Sequence, residues 1–76
     1  MTRRLIILAP VERELADAVA WYEERQPGLG VQLVHELDAT IVRIAANPES
    51  YQRLAGTGVR QAVLHRFPYV VLYELG

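Results

Sequence analysis

A chain of 76 residues makes one small domain, spanning 1–76, and a domain of that size buries only about 60% of the surface that its unfolded form exposes. Hydrophobic residues are 51% of the chain and charged residues 22%, the balance of a globular protein rather than a disordered one. The absence of cysteine excludes disulfides and thiolate metal sites and favours a reducing, cytoplasmic setting, while a net charge of −1 argues against a domain whose task is neutralising phosphates.

The opening "MTRRLIILAP" pairs arginines with a short apolar run, but Leu5–Ala9 is too short for the apolar region of a signal peptide and Pro10 follows at once. It reads instead as a first strand over Arg3–Ala9. No apolar run approaches the ~18 residues of a spanning helix. Pro10 then opens a helix, because its missing N–H has no partner in a first turn anyway, and Glu12 and Glu14 suit the positive end of the helix dipole. This first helix is predicted over Val11–Gln26, with Val11, Leu15, Ala18, Val19 and Tyr22 as its apolar stripe. The turn "PGLG" leads into a second helix over Val31–Ala46, with Leu33, Val34, Leu37, Ile41, Ile44 and Ala45 facing the core. Asn47-Pro48 ends it. The short link implies an antiparallel helical hairpin. Residues 48–58 form a loop. A second strand follows over Val59–Phe67, in which Gln61 and His65 share a face with Val59, Val63 and Phe67, as a bulge or an edge position would allow. Pro68 marks a turn, and Tyr69–Leu75 is a third strand, apolar on both faces and therefore suited to a sheet interior. The order β-α-α-β-β predicts an α+β domain, a helical hairpin packed on a small, mainly antiparallel sheet.

Catalytic and metal-binding constellations find little support. His35 and His65 are the only histidines and lie on different elements, so no metal site is expected. Thr2, Thr40, Ser50 and Thr57 lack a neighbouring base or glycine elbow. "GLG" and "GTG" are turns rather than phosphate loops, since no strand leads into the first and no lysine follows it. Glu23 and Glu24 diverge by about 100° on a helix and cannot act as a pair. Trp21 stands at the margin of the first stripe, either capping the helix pair or serving a partner. Arg60 and Arg66 lie an even number of residues apart and share a sheet face if no bulge intervenes. With Tyr69 and Tyr73 they make either a basic, aromatic binding surface or an ordinary solvated face.

Read together, "WYEERQPGLG" before a helix, "NPESY" after it and "VRQAVLHRFPYVVLYEL" at the end resemble the ParE branch of the RelE/ParE toxin superfamily. The shared features run in order from about Leu15 to Tyr73. The resemblance implies the toxin half of a bacterial type II toxin–antitoxin pair, annotated in that family as plasmid stabilisation, with a cognate antitoxin as partner and no cofactor. It offers two activities: ParE-like members poison DNA gyrase, and RelE-like members cut mRNA in the ribosome. The gyrase branch is favoured, because the chain has no lysine and carries Tyr69-Val70 where nuclease relatives place an arginine. A binder of protein, not an enzyme or a direct binder of nucleic acid, is therefore expected. Gln61 and Leu33 depart mildly from the family pattern, which has a basic residue and a phenylalanine there. Relatives also continue through one more strand, so the third strand is expected to present an open edge, which an antitoxin strand or a second copy would fill. A truncated member that keeps only antitoxin binding is the remaining alternative. Trp21, Arg60, Arg66, Tyr69 and Tyr73 are the candidate target- or antitoxin-binding residues.

Overall fold

The computed structural model describes residues 4–76. It runs β1 (Leu5–Ala9), α1 (Glu12–Arg25), α2 (Leu29–Ala46), β2 (Arg60–Val63) and β3 (Val70–Leu75), the α+β order that the sequence predicts. The expected start of the first strand at Arg3 lies outside the described residues.

α1 begins after Val11 with Glu12 and Glu14 in its first turn and no side-chain cap. At its other end the Arg25 guanidinium lies 3.2 Å from the centre of the Trp21 ring and donates to the Trp21 carbonyl. α2 starts two residues earlier than its stripe suggests. Gly28, its N-cap, has no side chain to offer, and the Glu23 carboxylate on α1 takes that place. The N–H groups of Gly28, Gly30 and Val31 donate to it at 3.1, 2.7 and 3.2 Å. Three of the donors that a helix start leaves without partners are thus satisfied from the neighbouring helix. Gly30 is fully packed against α1, and a Cβ there would stand 2.6 Å from the Val19 carbonyl oxygen.

The sheet is three-stranded and antiparallel, in the order β1-β3-β2. β3 is therefore central. Leu5 faces Leu75 and Ile7 faces Tyr73 on one side of it, with a bulge between Ile7 and Ala9; Arg60 faces Tyr73 and Val63 faces Val70 on the other. The open edge expected on the third strand is not there: the apolar run that suits a sheet interior is flanked on both sides, and the edges belong to β1 and β2. The β2 edge is itself partly covered, since Gln61 N–H donates to the Gln52 carbonyl and Leu54 N–H to the Val59 carbonyl.

The helices cover one face of the sheet. Leu33, Leu37 and Ile44 of α2 meet Ala62, Leu64, Phe67, Val71 and Tyr73 in the core. α1 contributes no fully buried residue; Leu15, Ala18, Val19 and Tyr22 pack at its margin, and Val11 is 48% exposed rather than part of the stripe. The α2 stripe is narrower than expected, with Val34 and Ile41 half-buried and Ala45 exposed. Thr40 is buried instead, its hydroxyl donating to the Glu36 carbonyl at 2.8 Å. β2 ends four residues before Phe67, because the Glu36 carboxylate accepts the backbone N–H groups of His65 and Arg66 and bends the chain toward α2. Ala62 and Leu64 point inward, and Gln61 and Val63 point to the uncovered face.

Candidate functional site

The turn between β2 and β3 is held against α1 by aromatic packing. Phe67 is buried, and the Tyr22 ring meets it edge-on at 5.1 Å. Tyr22 also meets Trp21 at 5.0 Å and Tyr69 at 6.3 Å, both edge-on. Such T-shaped pairs set the positive edge of one ring against the negative face of the next. Burial, and then the Tyr69 hydroxyl beside it, push the Tyr22 phenol above its ordinary pKa, so it stays protonated as a donor. Tyr69 N–H donates to the Phe67 carbonyl and Leu64 N–H to the Tyr69 carbonyl, which closes the turn.

This packing creates a shallow groove between α1 and the turn. Trp21, Tyr22, Pro68 and Tyr69 form its walls, and Glu14 and Asp17 stand on its rim. Beside it opens an apolar pit of about 60 Å³, floored by Leu15, Leu33, Leu37 and Leu64 and sharing Glu14, Ala18 and Tyr69 with the groove. Glu14, Asp17, Ala18 and Trp21 are neighbours on a helix face by spacing alone. The turn at Pro68 is expected from the sequence; what the sequence does not reveal is that it packs against α1 as the opposite wall.

Of the five candidate residues, Trp21 and Tyr69 come together at this groove. The other three do not form one surface with them. Tyr73 is fully buried, not exposed; its hydroxyl donates to the Pro48 carbonyl at 2.7 Å, its ring lies edge-on to Tyr51, and burial raises its pKa. Arg60 points inward beside it and donates to the carbonyls of Tyr51 at 2.6 Å and Glu49 at 3.2 Å. Tyr73 and Arg60 thus pin residues 48–51 to the sheet. Arg66 lies beyond the end of β2, where its guanidinium donates to the Gln32 side chain at 2.6 Å. The even spacing of the two arginines does not place them together, because the strand stops between them. Among the described residues no group of three or more His, Cys, Asp or Glu is placed to hold a metal, and no helix is long and apolar enough to cross a membrane.

The family model described as "ParE toxin of type II toxin-antitoxin system, parDE" matches residues 5–76. The chain belongs to the ParE toxin family. It is thereby the toxin component of a type II toxin–antitoxin system, and its family implies an antitoxin partner. Searches of curated proteins and of solved structures returned no match. The motifs that carry the ParE resemblance have local physical roles in this fold. "WYEE" supplies the aromatic wall through Trp21 and Tyr22 and the α2 cap through Glu23, and "PGLG" supplies the left-handed Gly28 and the close-packed Gly30.

Proposed function

We propose that this ParE-family toxin acts in the cytoplasm by binding and poisoning DNA gyrase, and that its cognate antitoxin prevents this by occupying the toxin. The family match carries the reading. The engagement of the two candidate arginines, Arg60 and Arg66, favours it over cleavage of ribosome-bound mRNA. A ribonuclease needs cationic groups free to meet the developing charge on a phosphate. Here the half-buried Arg60 is bound to the main-chain carbonyls of Glu49 and Tyr51, and Arg66 to Gln32. The chain also has no lysine. Trp21 and Tyr69 are the binding residues that this reading retains.

Controlled expression in bacteria tests it. The expected outcome is arrest of DNA replication with gyrase-linked breaks, translation being spared at first, and accumulation of cleaved DNA by purified gyrase in the presence of the protein. Codon-specific cuts in ribosome-bound mRNA, with gyrase unaffected, would replace this reading by the nuclease one.

A further inference from the structure

The groove between α1 and the β2–β3 turn has an unbalanced charge pattern. Glu14 and Asp17 are three residues apart on α1 and both are exposed. Neither carboxylate has an ion-pair or hydrogen-bond partner among the described residues. Carboxylates at this spacing repel each other mildly, and a cation between them removes that cost. Arg66 is engaged on Gln32 and Arg25 on the Trp21 ring at 3.2 Å, and the exposed Arg13, beside Glu14 on α1, makes no ion pair with either carboxylate. The Arg25 contact also shows that the indole accepts a guanidinium on its face, an attraction between a cation and the ring quadrupole. The wall opposite Trp21 is the second exposed aromatic, Tyr69.

A second, independent observation lies alongside. The apolar pit adjoins the groove through Glu14, Ala18 and Tyr69 and has a volume of about 60 Å³. That is several times the ~10–15 Å³ that a single water requires, and the lining is aliphatic, so the pit suits a hydrocarbon group better than water. An anionic rim, an aromatic wall and an aliphatic pit therefore fall within the reach of two adjacent side chains of one peptide.

We propose that this groove seats a basic–aliphatic segment of the antitoxin. An arginine or lysine lies between Glu14 and Asp17 against Tyr69, and a neighbouring aliphatic side chain enters the pit. The proposal rests on the toxin–antitoxin membership of the chain and adds the place and chemistry of the contact. Charge complementarity selects the occupant: the rim attracts a cationic peptide and repels an acidic one or a phosphate backbone.

The test uses the full chain and its purified antitoxin, defined as the protein that neutralises wild-type toxicity. Binding is measured for the wild type, for the double variant Glu14→Lys/Asp17→Lys and for the control Asp38→Lys on exposed α2 surface, at low and high salt. Unchanged circular dichroism first confirms folding. The double variant should bind about tenfold more weakly and with a flatter salt dependence, and Asp38→Lys should match the wild type. Reversing one antitoxin cation to glutamate should restore binding to the double variant. Binding by the double variant within about twofold of the wild type at low salt would overturn the proposal. So would weakened binding that no charge reversal in the antitoxin restores, or a double variant that loses gyrase poisoning but is still bound normally. A wild-type chain that no antitoxin binds would instead sink the toxin–antitoxin reading itself.

Discussion

Glu23 joins two helices through one carboxylate, which accepts three N–H groups at the start of α2. The Gly28 N–H is foremost among the causes that hold its pKa below the ordinary glutamate value. Because the folded-state pKa lies below the unfolded one, the stabilisation is complete above the unfolded pKa and is lost as pH falls through the folded pKa. Glu23→Gln should therefore melt at a lower temperature than wild type at neutral pH, with the gap closing as pH falls below the ordinary glutamate range. A gap that stays constant as the pH is lowered from neutral into the acid range, in melting curves taken at half-unit steps, would show that the charge is not what caps α2. Gly30 makes a sharper demand. Alanine would place its Cβ 2.6 Å from the Val19 carbonyl oxygen, a backbone atom that moves only with the helix. Gly30→Ala should cost about 1–3 kcal/mol, as overpacking does, despite the better helix propensity of alanine. Melting should fall by about 4–8 °C per kcal/mol in a domain of this size. At this scale the sequence was partly legible. It shows that Glu23 and Glu24 cannot act as a pair, but not what Glu23 meets, since its partners lie across a turn. Similarly, Tyr73 looks like a surface aromatic until the sheet closes over it.

α2 buries Gly30, Leu33, Leu37, Thr40 and Ile44, a stripe of alternating three- and four-residue steps, while α1 buries nothing completely. α2 is thus the element on which the core is built. Ile44 is 0% exposed and Ile41 is only half-buried, so their truncations separate. Ile44→Ala should cost about 2–5 kcal/mol. Ile41→Ala should cost about 1–2 kcal/mol, because its side chain stays partly hydrated in the fold. Urea unfolding of the two variants checks the order, and equal midpoints would mean that the stripe is wider than the burial indicates. The helices were legible because apolar residues recur at helical spacing and Pro and Gly punctuate the ends. The extra width given to the stripe came from reading Val34, Ile41 and Ala45 as inward, whereas Ala45 faces solvent and the other two are half-buried. Thr40 escaped because a hydroxyl reads as polar until the Glu36 carbonyl that satisfies it is seen. The end of β2 was not legible at all. It depends on Glu36, far away in sequence, taking the N–H groups that a longer strand would have used.

The molecule measures 42 × 23 × 19 Å with a radius of gyration of 13.3 Å, against about 11.4 Å for a compact chain of this length. The elongated shape leaves one sheet face without helices, with Val63 61% and Val70 37% exposed. A small core and a large surface give a narrow stability margin. A partner that binds only the folded form then adds to it in proportion to its affinity. Antitoxin at about 100 times its Kd should stabilise the chain by about 2.7 kcal/mol, seen as a rise in melting temperature that increases with antitoxin concentration. A melting temperature independent of that concentration would show that the partner binds the unfolded chain equally well. The α+β class was legible from element order, but the strand order was not. Apolar residues on both faces of the third strand announce a central position without naming its neighbours. The pairing of β1 with β3 also has a bearing on the order of events during synthesis. Leu5 and Leu75, opposite each other in the sheet, are 70 residues apart in the chain. At about 5–20 residues per second, β1 emerges several seconds before the strand that completes it. The helical hairpin, whose contacts are local, is free to form in that interval, but the sheet is not. The sheet, and the turn that walls the groove against α1, are therefore completed last, and an antitoxin already present meets the chain as the fold closes.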